Sequence, residues 1–184
     1  MKYAILLVLT VITVTGYGQD KFSHVHFNKL IELKGTAYVI ATLENGKLFS
    51  SNASYLVFIN TQTGETKPIE FPNDGYVENM EQIKIDSLGI NRVVIAANTV
   101  NLNNNKSVDY NDPTQIIVLS TDGKEKVQLT EDKFYTRRWI INYHTGAIVI
   151  TGHYDTNNNG RYDKGDKNEI VIYNLKTLKL ISKI

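Results

Sequence analysis

The sequence predicts an all-β domain made of repeated antiparallel four-stranded units, and three observations carry that prediction. Short runs rich in Val, Ile, Tyr and Thr recur between clusters of Asn, Asp and Gly, as at Tyr55 to Asn60, Arg92 to Val100, Gln115 to Ser120, Ala147 to Thr151 and Glu169 to Asn174. Runs of that length and composition are strands, and nothing of comparable length shows a helical period. The pairs Asn45-Gly46, Asp122-Gly123 and Thr145-Gly146 fall between such runs and supply the positive φ that tight hairpins need. The runs also repeat as a set.

The first element in chain order is not part of the fold. MKYAILLVLTVITVTGYGQ has an early charge at Lys2, an apolar run from Ala4 to about Val14, and then Gly16 and Gly18. That is the plan of a secretory signal peptide, with an apolar stretch too short to span a bilayer. Residues 1–18 are therefore expected to be removed, leaving 19–184 as one secreted or periplasmic domain. His24 to Leu33 is an extra strand candidate. Three units follow, over about 36–71, 77–130 and 135–184. NLNNNKSVDYNDPTQIIVLSTDGK from Asn101 lies without a gap over DTNNNGRYDKGDKNEIVIYNLKTL from Asp155, placing Asp109 on Asp163 and Asp112 on Asp166. KLFSSNASYLVFINTQTGETKPIEF, Lys47 to Phe71, is a shorter copy without the Asn-rich loop. Within a unit, a first strand such as Arg138 to Tyr143 turns into a second such as Ala147 to Thr151. The loop follows, then a third strand such as Glu169 to Asn174 and a short fourth such as Lys179 to Ser182.

A four-stranded sheet repeated at this period is the signature of a propeller blade. EIVIYNLKTLKLISKI at the C-terminus, VQLT at Val127 to Thr130 closing the previous unit, and Trp139 opening the last one resemble the TolB-like β-propeller repeats over roughly Ala37 to Ile184. The resemblance implies a protein-binding scaffold of the periplasm or cell exterior. Closed propellers need about four to eight blades. Three units point to an incomplete propeller capped by the N-terminal strand, or to two copies closing a six-bladed ring as a homodimer. A β-sandwich with repeated hairpins is the alternative architecture.

The Asn-rich loop of the last unit is a candidate calcium site. Calcium takes six to eight oxygens, and a loop supplies them from positions 1, 3, 5, a carbonyl at 7, and 9 or 12, with Gly at 6 for the bend. Counted from Asp155, these are Asp155, Asn157, Asn159, the carbonyl of Arg161, Asp163 and Asp166, with Gly160 in its expected place. The spacing resembles both the EF-hand loop and the calcium loops of integrin-type propeller blades; flanking strands favour the second comparison. Position 12 is Asp rather than Glu, and two ligand positions are neutral Asn, which sets an expected affinity of roughly 10⁻⁵ to 10⁻³ M. The competing reading is a surface loop held by Asx turns. In the earlier loop, Asn101, Asn103, Asn105, the carbonyl of Ser107, Asp109 and Asp112 fill the same positions, but Lys106 replaces Gly where positive φ is expected. A non-Gly residue there costs about 1 kcal/mol, so this loop reads as a degenerate copy kept as a turn.

Other features exclude or discount further functions. There is no Cys, so stability rests on core burial rather than disulfides. Lys2 aside, basic and acidic residues balance, which argues against a general nucleic-acid binder or an anionic-membrane binder. No later segment is apolar enough for membrane insertion. His24 and His26 are half of a zinc site at most, with His144 and His153 single in other strands. Trp139 and the tyrosines could form a carbohydrate platform, but strand aromatics more often pack, and Trp139 is read as core. Arg137-Arg138 reads as solvated surface. No Gly-x-Ser-x-Gly turn, His-Glu-x-x-His, Cys nucleophile or phosphate-cradling loop is present. The functional expectation is a non-enzymatic, exported, calcium-binding module for a protein or cell-surface partner. The alternatives are an exported hydrolase of glycan or peptide using carboxylates at the ring's central opening, and a structural or adhesive subunit.

Overall fold

The computed structural model describes residues 27–44, 53–72, 75–103, 105–157, 159 and 162–184. The candidate signal segment, His24, His26, the Asn45-Gly46 turn, and Gly160 and Arg161 of the last loop lie outside the described residues.

Among the described residues the chain is all-β, in three four-stranded antiparallel sheets. The first contains β1 (Phe27–Glu32), β2 (Tyr38–Glu44), β3 (Ala53–Asn60) and β4 (Thr66–Glu70). The second contains β5 (Tyr76–Ile85), β6 (Ile90–Asn98), β7 (Thr114–Ser120) and β8 (Lys126–Gln128), with a 3-10 turn at Asp86–Leu88. The third contains β9 (Phe134–Asn142), β10 (Ala147–Tyr154), β11 (Lys167–Asn174) and β12 (Leu180–Lys183). Each sheet is a meander in sequence order, and the first two are linked by one pairing, Ala53 with Val77. The sheets do not close into a ring. The strand candidate at His24 to Leu33 is β1 over its described part: it is the first strand of the first sheet, paired along β2, and not an additional cap.

Local sequence explains the elements. Gly123 and Gly146 sit at φ 70° and 69° in the turns after β7 and β9, as their hairpins require. Pro68 is tolerated in β4 because that strand pairs only with β3, leaving one edge with no ladder to complete. In β6 and β7 the usual alternation of apolar and polar residues disappears. Val94, Ala96, Ile116 and Val118 pack with Ile148, Ile150 and Val171 of the third sheet. Val93, Ile95, Ala97, Ile117 and Leu119 pack with Ile40, Leu56 and Phe58 of the first. The middle sheet is therefore buried on both faces, and both faces must be aliphatic. On the far side of the first sheet, Ala41, Leu43 and Val57 form a small separate cluster.

One irregularity recurs in all three sheets. The register slips between Phe27 and Lys29 in β1, between Val77 and Asn79 in β5, and between Thr136 and Arg138 in β9. Asn28, Glu78 and Arg137 are thus the extra residues of three equivalent β-bulges, each in the first strand of its sheet. A bulge bends its strand and re-aims the side chain that it carries. In the third sheet it also brings backbone to backbone at Gly152, where a Cβ would lie 2.4 Å from the carbonyl oxygen of Tyr135.

Candidate metal centre

The two Asn-rich loops occupy the same place in successive sheets. The first leaves β6 and returns through β7, with Asn98 paired to Thr114; the second leaves β10 and returns through β11, with Tyr154 paired to Lys167. Each loop is therefore closed at its base by a strand pair, which fixes the distance between its first and last acidic positions.

The loops are built by the same hydrogen bonds. Asp112 Oδ1 accepts from the Leu102 N–H (2.8 Å) and Asp112 Oδ2 from the Asp109 N–H (3.0 Å); Asp166 Oδ1 accepts from Thr156 N–H (3.0 Å) and Asp166 Oδ2 from Asp163 N–H (2.8 Å). Asn103 Oδ1 accepts from Asn105 N–H, as Asn157 Oδ1 does from Asn159 N–H, both at 3.0 Å. Asp109 Oδ1 caps the Asn111 N–H (2.8 Å) and Asp163 Oδ1 the Gly165 N–H (2.7 Å). The last acidic residue of each loop is buried, Asp112 at 3% exposure and Asp166 at 6%. Both Asp166 oxygens are engaged by main-chain donors, so this residue shapes the loop from beneath.

The remaining side chains converge. Asn157 Nδ2 and Asn159 Nδ2 both donate to Asp163 Oδ2, at 2.7 and 2.9 Å, while Asp155 Oδ1 accepts from the Asn159 N–H at 3.1 Å. Four of the six expected donor residues are thus gathered on one loop face. Asn amide oxygen and nitrogen exchange places on a half-turn of the side chain; for Asn157 that turn would give up the bond its Oδ1 accepts from the Asn159 N–H. Among the described residues no three carboxylate or imidazole groups cluster, and the donor set depends on amides as well as acids. In the first loop, Asn105 Nδ2 donates to Asp109 Oδ2 at 2.9 Å, and Asn101 Oδ1 is buried without a hydrogen-bond partner. Lys106 does not carry the expected strain: among the described residues the only non-Gly residue with positive φ is Leu178.

Asp163 and Asp109 are held below the ordinary carboxylate range, chiefly by the backbone N–H groups of Gly165 and Asn111 respectively. A depressed folded pKa gives stabilisation that is complete above the unfolded value and disappears as pH falls through the folded one. In an acid titration followed by NMR, the Gly165 and Asn111 amide signals should therefore move at lower pH than those beside carboxylates in the ordinary range. Movement together with the ordinary carboxylates would show that these caps do not persist in solution.

An aromatic stack lies beside the second loop. The Arg137 guanidinium covers the Tyr162 ring at 4.1 Å, Tyr162 meets His153 edge-on at 4.9 Å, and His153 stacks on Tyr135 at 5.1 Å. Burial lowers the His153 pKa, favouring the neutral ring. Arg137 and Arg138 are both exposed, as the sequence reading has them, and Arg137 in addition lies over a ring of the loop, a role the doublet in the sequence gave no hint of.

A cleft of about 650 Å³ opens between β5 and β9. Glu78 and Glu81 line it opposite Arg137, Arg138 and Trp139. Trp139 is half-buried, packing against the core while forming part of this wall. Glu81 accepts a bond from the Tyr143 hydroxyl at 3.0 Å, and Glu78 from Thr114 at 3.4 Å. Sequence reasoning missed both glutamates, because only the packing of the second sheet against the third brings them to the arginines.

No known family model and no curated protein matches the chain. Among solved structures, it is similar to an acylaminoacyl peptidase of Pyrococcus horikoshii, at 13% identity and a TM-score of 0.44, over 89% of this chain and 25% of that one. It is also similar to an acylaminoacyl peptidase in complex with Z-Gly-Gly-Phe-chloromethyl ketone, at 14% identity and a TM-score of 0.44, over 87% of this chain and 25% of that one. The chain spans about a quarter of the length of either.

Proposed function

We propose that this protein is an exported β-sheet scaffold, stiffened by calcium, that binds a protein or cell-surface partner without catalysing a reaction. The observation that carries the metal reading is the meeting of Asn157 and Asn159 on one oxygen of Asp163. With the amides turned, Asp155, Asn157, Asn159 and Asp163 offer side-chain oxygens; the fifth donor expected from the spacing, the carbonyl of Arg161, lies outside the described residues. Asp166 holds the loop in shape by its bonds to Thr156 and Asp163. Oxygen donors of mixed charge suit a hard cation with flexible geometry, which is calcium.

The cleft offers a binding surface: Glu78 and Glu81 stand opposite Arg137, Arg138 and Trp139, a wall of both charges with an aromatic face that suits a polar ligand. Export rests on the N-terminal segment, and a scaffold role rests on the resemblance to TolB-like repeats. Among the described residues no helix is long and apolar enough to cross a membrane.

Thermal unfolding tests the metal. At a calcium concentration about a hundredfold above Kd, the folded state gains about 2.7 kcal/mol, and the midpoint should rise accordingly. The double variant Asp155→Ala, Asp163→Ala should lose that rise. No response of the unaltered chain to 10 mM calcium would reject the reading.

A further inference from the structure

We propose that the cleft between β5 and β9 takes an extended peptide segment of alternating acidic and basic residues, which adds to the third sheet as a strand along the free edge of β9. This rests on the binding role given above and names what is bound.

Successive residues of a strand point to opposite faces of its sheet. Trp139 and Ile141, paired with Ile150 and Ile148, face the second sheet, while Arg138 and Ile140, paired with Thr151 and Val149, face away from it. Yet all six residues from 136 to 141 line the one cleft. A cavity that meets both faces of a strand in an unbroken run lies along the strand's edge. That edge is open: among the described residues β9 pairs only with β10, and β5 across the cleft pairs with β6 and, on its other side, only at Ala53. Alternate main-chain N–H and C=O groups of β9 therefore point toward the cleft with no strand to bond, which is the template that a peptide completes when it joins a sheet edge. At the head of the run, Thr136 Oγ1 is buried without a hydrogen-bond partner.

The charges select the occupant. Glu81 is paired with Val94, on the face of the second sheet that packs against the third, and Glu78 lines the same wall. Arg138, and Arg137 at the bulge, belong to the opposite wall. Among the described residues no salt bridge crosses between them, so each wall keeps its own charge. A strand laid along β9 sends alternate side chains to the two faces of the third sheet, one set toward Glu81 and the other alongside Arg138. Basic residues suit the first set and acidic residues the second, because cross-strand pairs of opposite charge stabilise a sheet and like charges weaken it. A segment of one sign is attracted on one face and repelled on the other, which makes the alternation itself the recognised feature.

The probe is a hexapeptide of alternating glutamate and lysine, blocked at both ends, titrated at low salt into the isotope-labelled chain recovered from the exported fraction of expressing cells. The amide signals of residues 136–141 should shift and saturate, and the peptide should be recovered intact. A block peptide, three glutamates followed by three lysines, has the same composition and should bind about tenfold more weakly, because half of its cross-strand pairs repel. A version of the alternating peptide methylated at every main-chain nitrogen keeps its charges but has no N–H to give, and should not bind. Arg138 is exposed, so Arg138→Glu should keep its circular dichroism, lose about tenfold in affinity for the alternating peptide, and come to prefer hexalysine. No shift along residues 136–141 at about 1 mM peptide, equal binding of the block or methylated peptide, or an Arg138→Glu protein that binds as the unaltered one does would each overturn the proposal. So would shifts produced by cellohexaose and not by the peptide, which would give the cleft to glycans stacked on Trp139. Cleavage of a peptide that does bind would leave the pairing standing and sink the non-catalytic reading instead.

Discussion

Gly152→Ala should destabilise the protein by about 3 kcal/mol, near the top of the overpacking range, and lower the thermal midpoint by roughly 6–12 °C. The added Cβ would sit 2.4 Å from the Tyr135 carbonyl oxygen and 2.5 Å from Cζ of Phe134. Neither neighbour has room to retreat. The carbonyl belongs to the strand paired across the β9 bulge, and Phe134 is 1% exposed, with the Tyr154 ring edge-on at 5.2 Å. Gly64→Ala is the control: φ is +74° but nothing lies within 4 Å, so the cost there is conformational alone, about 1 kcal/mol. Adding Phe134→Leu to Gly152→Ala should cost less than the sum of the two single changes, because the smaller side chain relieves half of the clash. Urea denaturation of the four variants measures all of this. A Gly152→Ala protein as stable as the unaltered one would mean that β9 and β10 do not approach so closely there.

Asp112→Ala should cost about 3 kcal/mol, far more than an acidic loop residue usually contributes. Its carboxylate is buried and accepts main-chain hydrogen bonds from Leu102 and Asp109, with a longer one from Asn103 at 3.4 Å. Alanine leaves those donors facing a space without an acceptor, at about 1–3 kcal/mol for each one not reached by water. Asp112→Asn keeps one acceptor oxygen and should recover about half. Amide hydrogen exchange gives the local reading: Leu102 and Asp109 should exchange faster in the alanine variant while β6 and β7 remain protected. Equal stability of the alanine and unaltered proteins, or no advantage of asparagine over alanine, would refute the clamp.

Those two residues show what was and was not legible in the sequence. The strands were legible because Val, Ile and Thr runs end at Asn and Gly, and the repeat of the two loops was visible from Asp109 over Asp163 and Asp112 over Asp166. The position of β1 was not, because it lies apart from the shorter first copy and carries no loop to align; read alone, it passed for an extra strand. In the loops, spacing identified which residues meet, and Asn157, Asn159 and Asp163 do meet. Spacing does not say which way a carboxylate turns, and Asp166 turns to the backbone. The cleft was illegible for a different reason. Glu78 and Arg137 are far apart in the chain, and a bulge leaves no mark in a strand's composition, so nothing linear announces that they share a wall.

The repeated bulge has a practical consequence. The same backbone kink is occupied by an amide at Asn28, an acid at Glu78 and a guanidinium at Arg137, so its geometry tolerates any charge. Glu78 is therefore a dial on the electrostatic potential at the cleft mouth: exchanging it for glutamine or lysine alters what the opening attracts while every aliphatic layer behind it stays as it was.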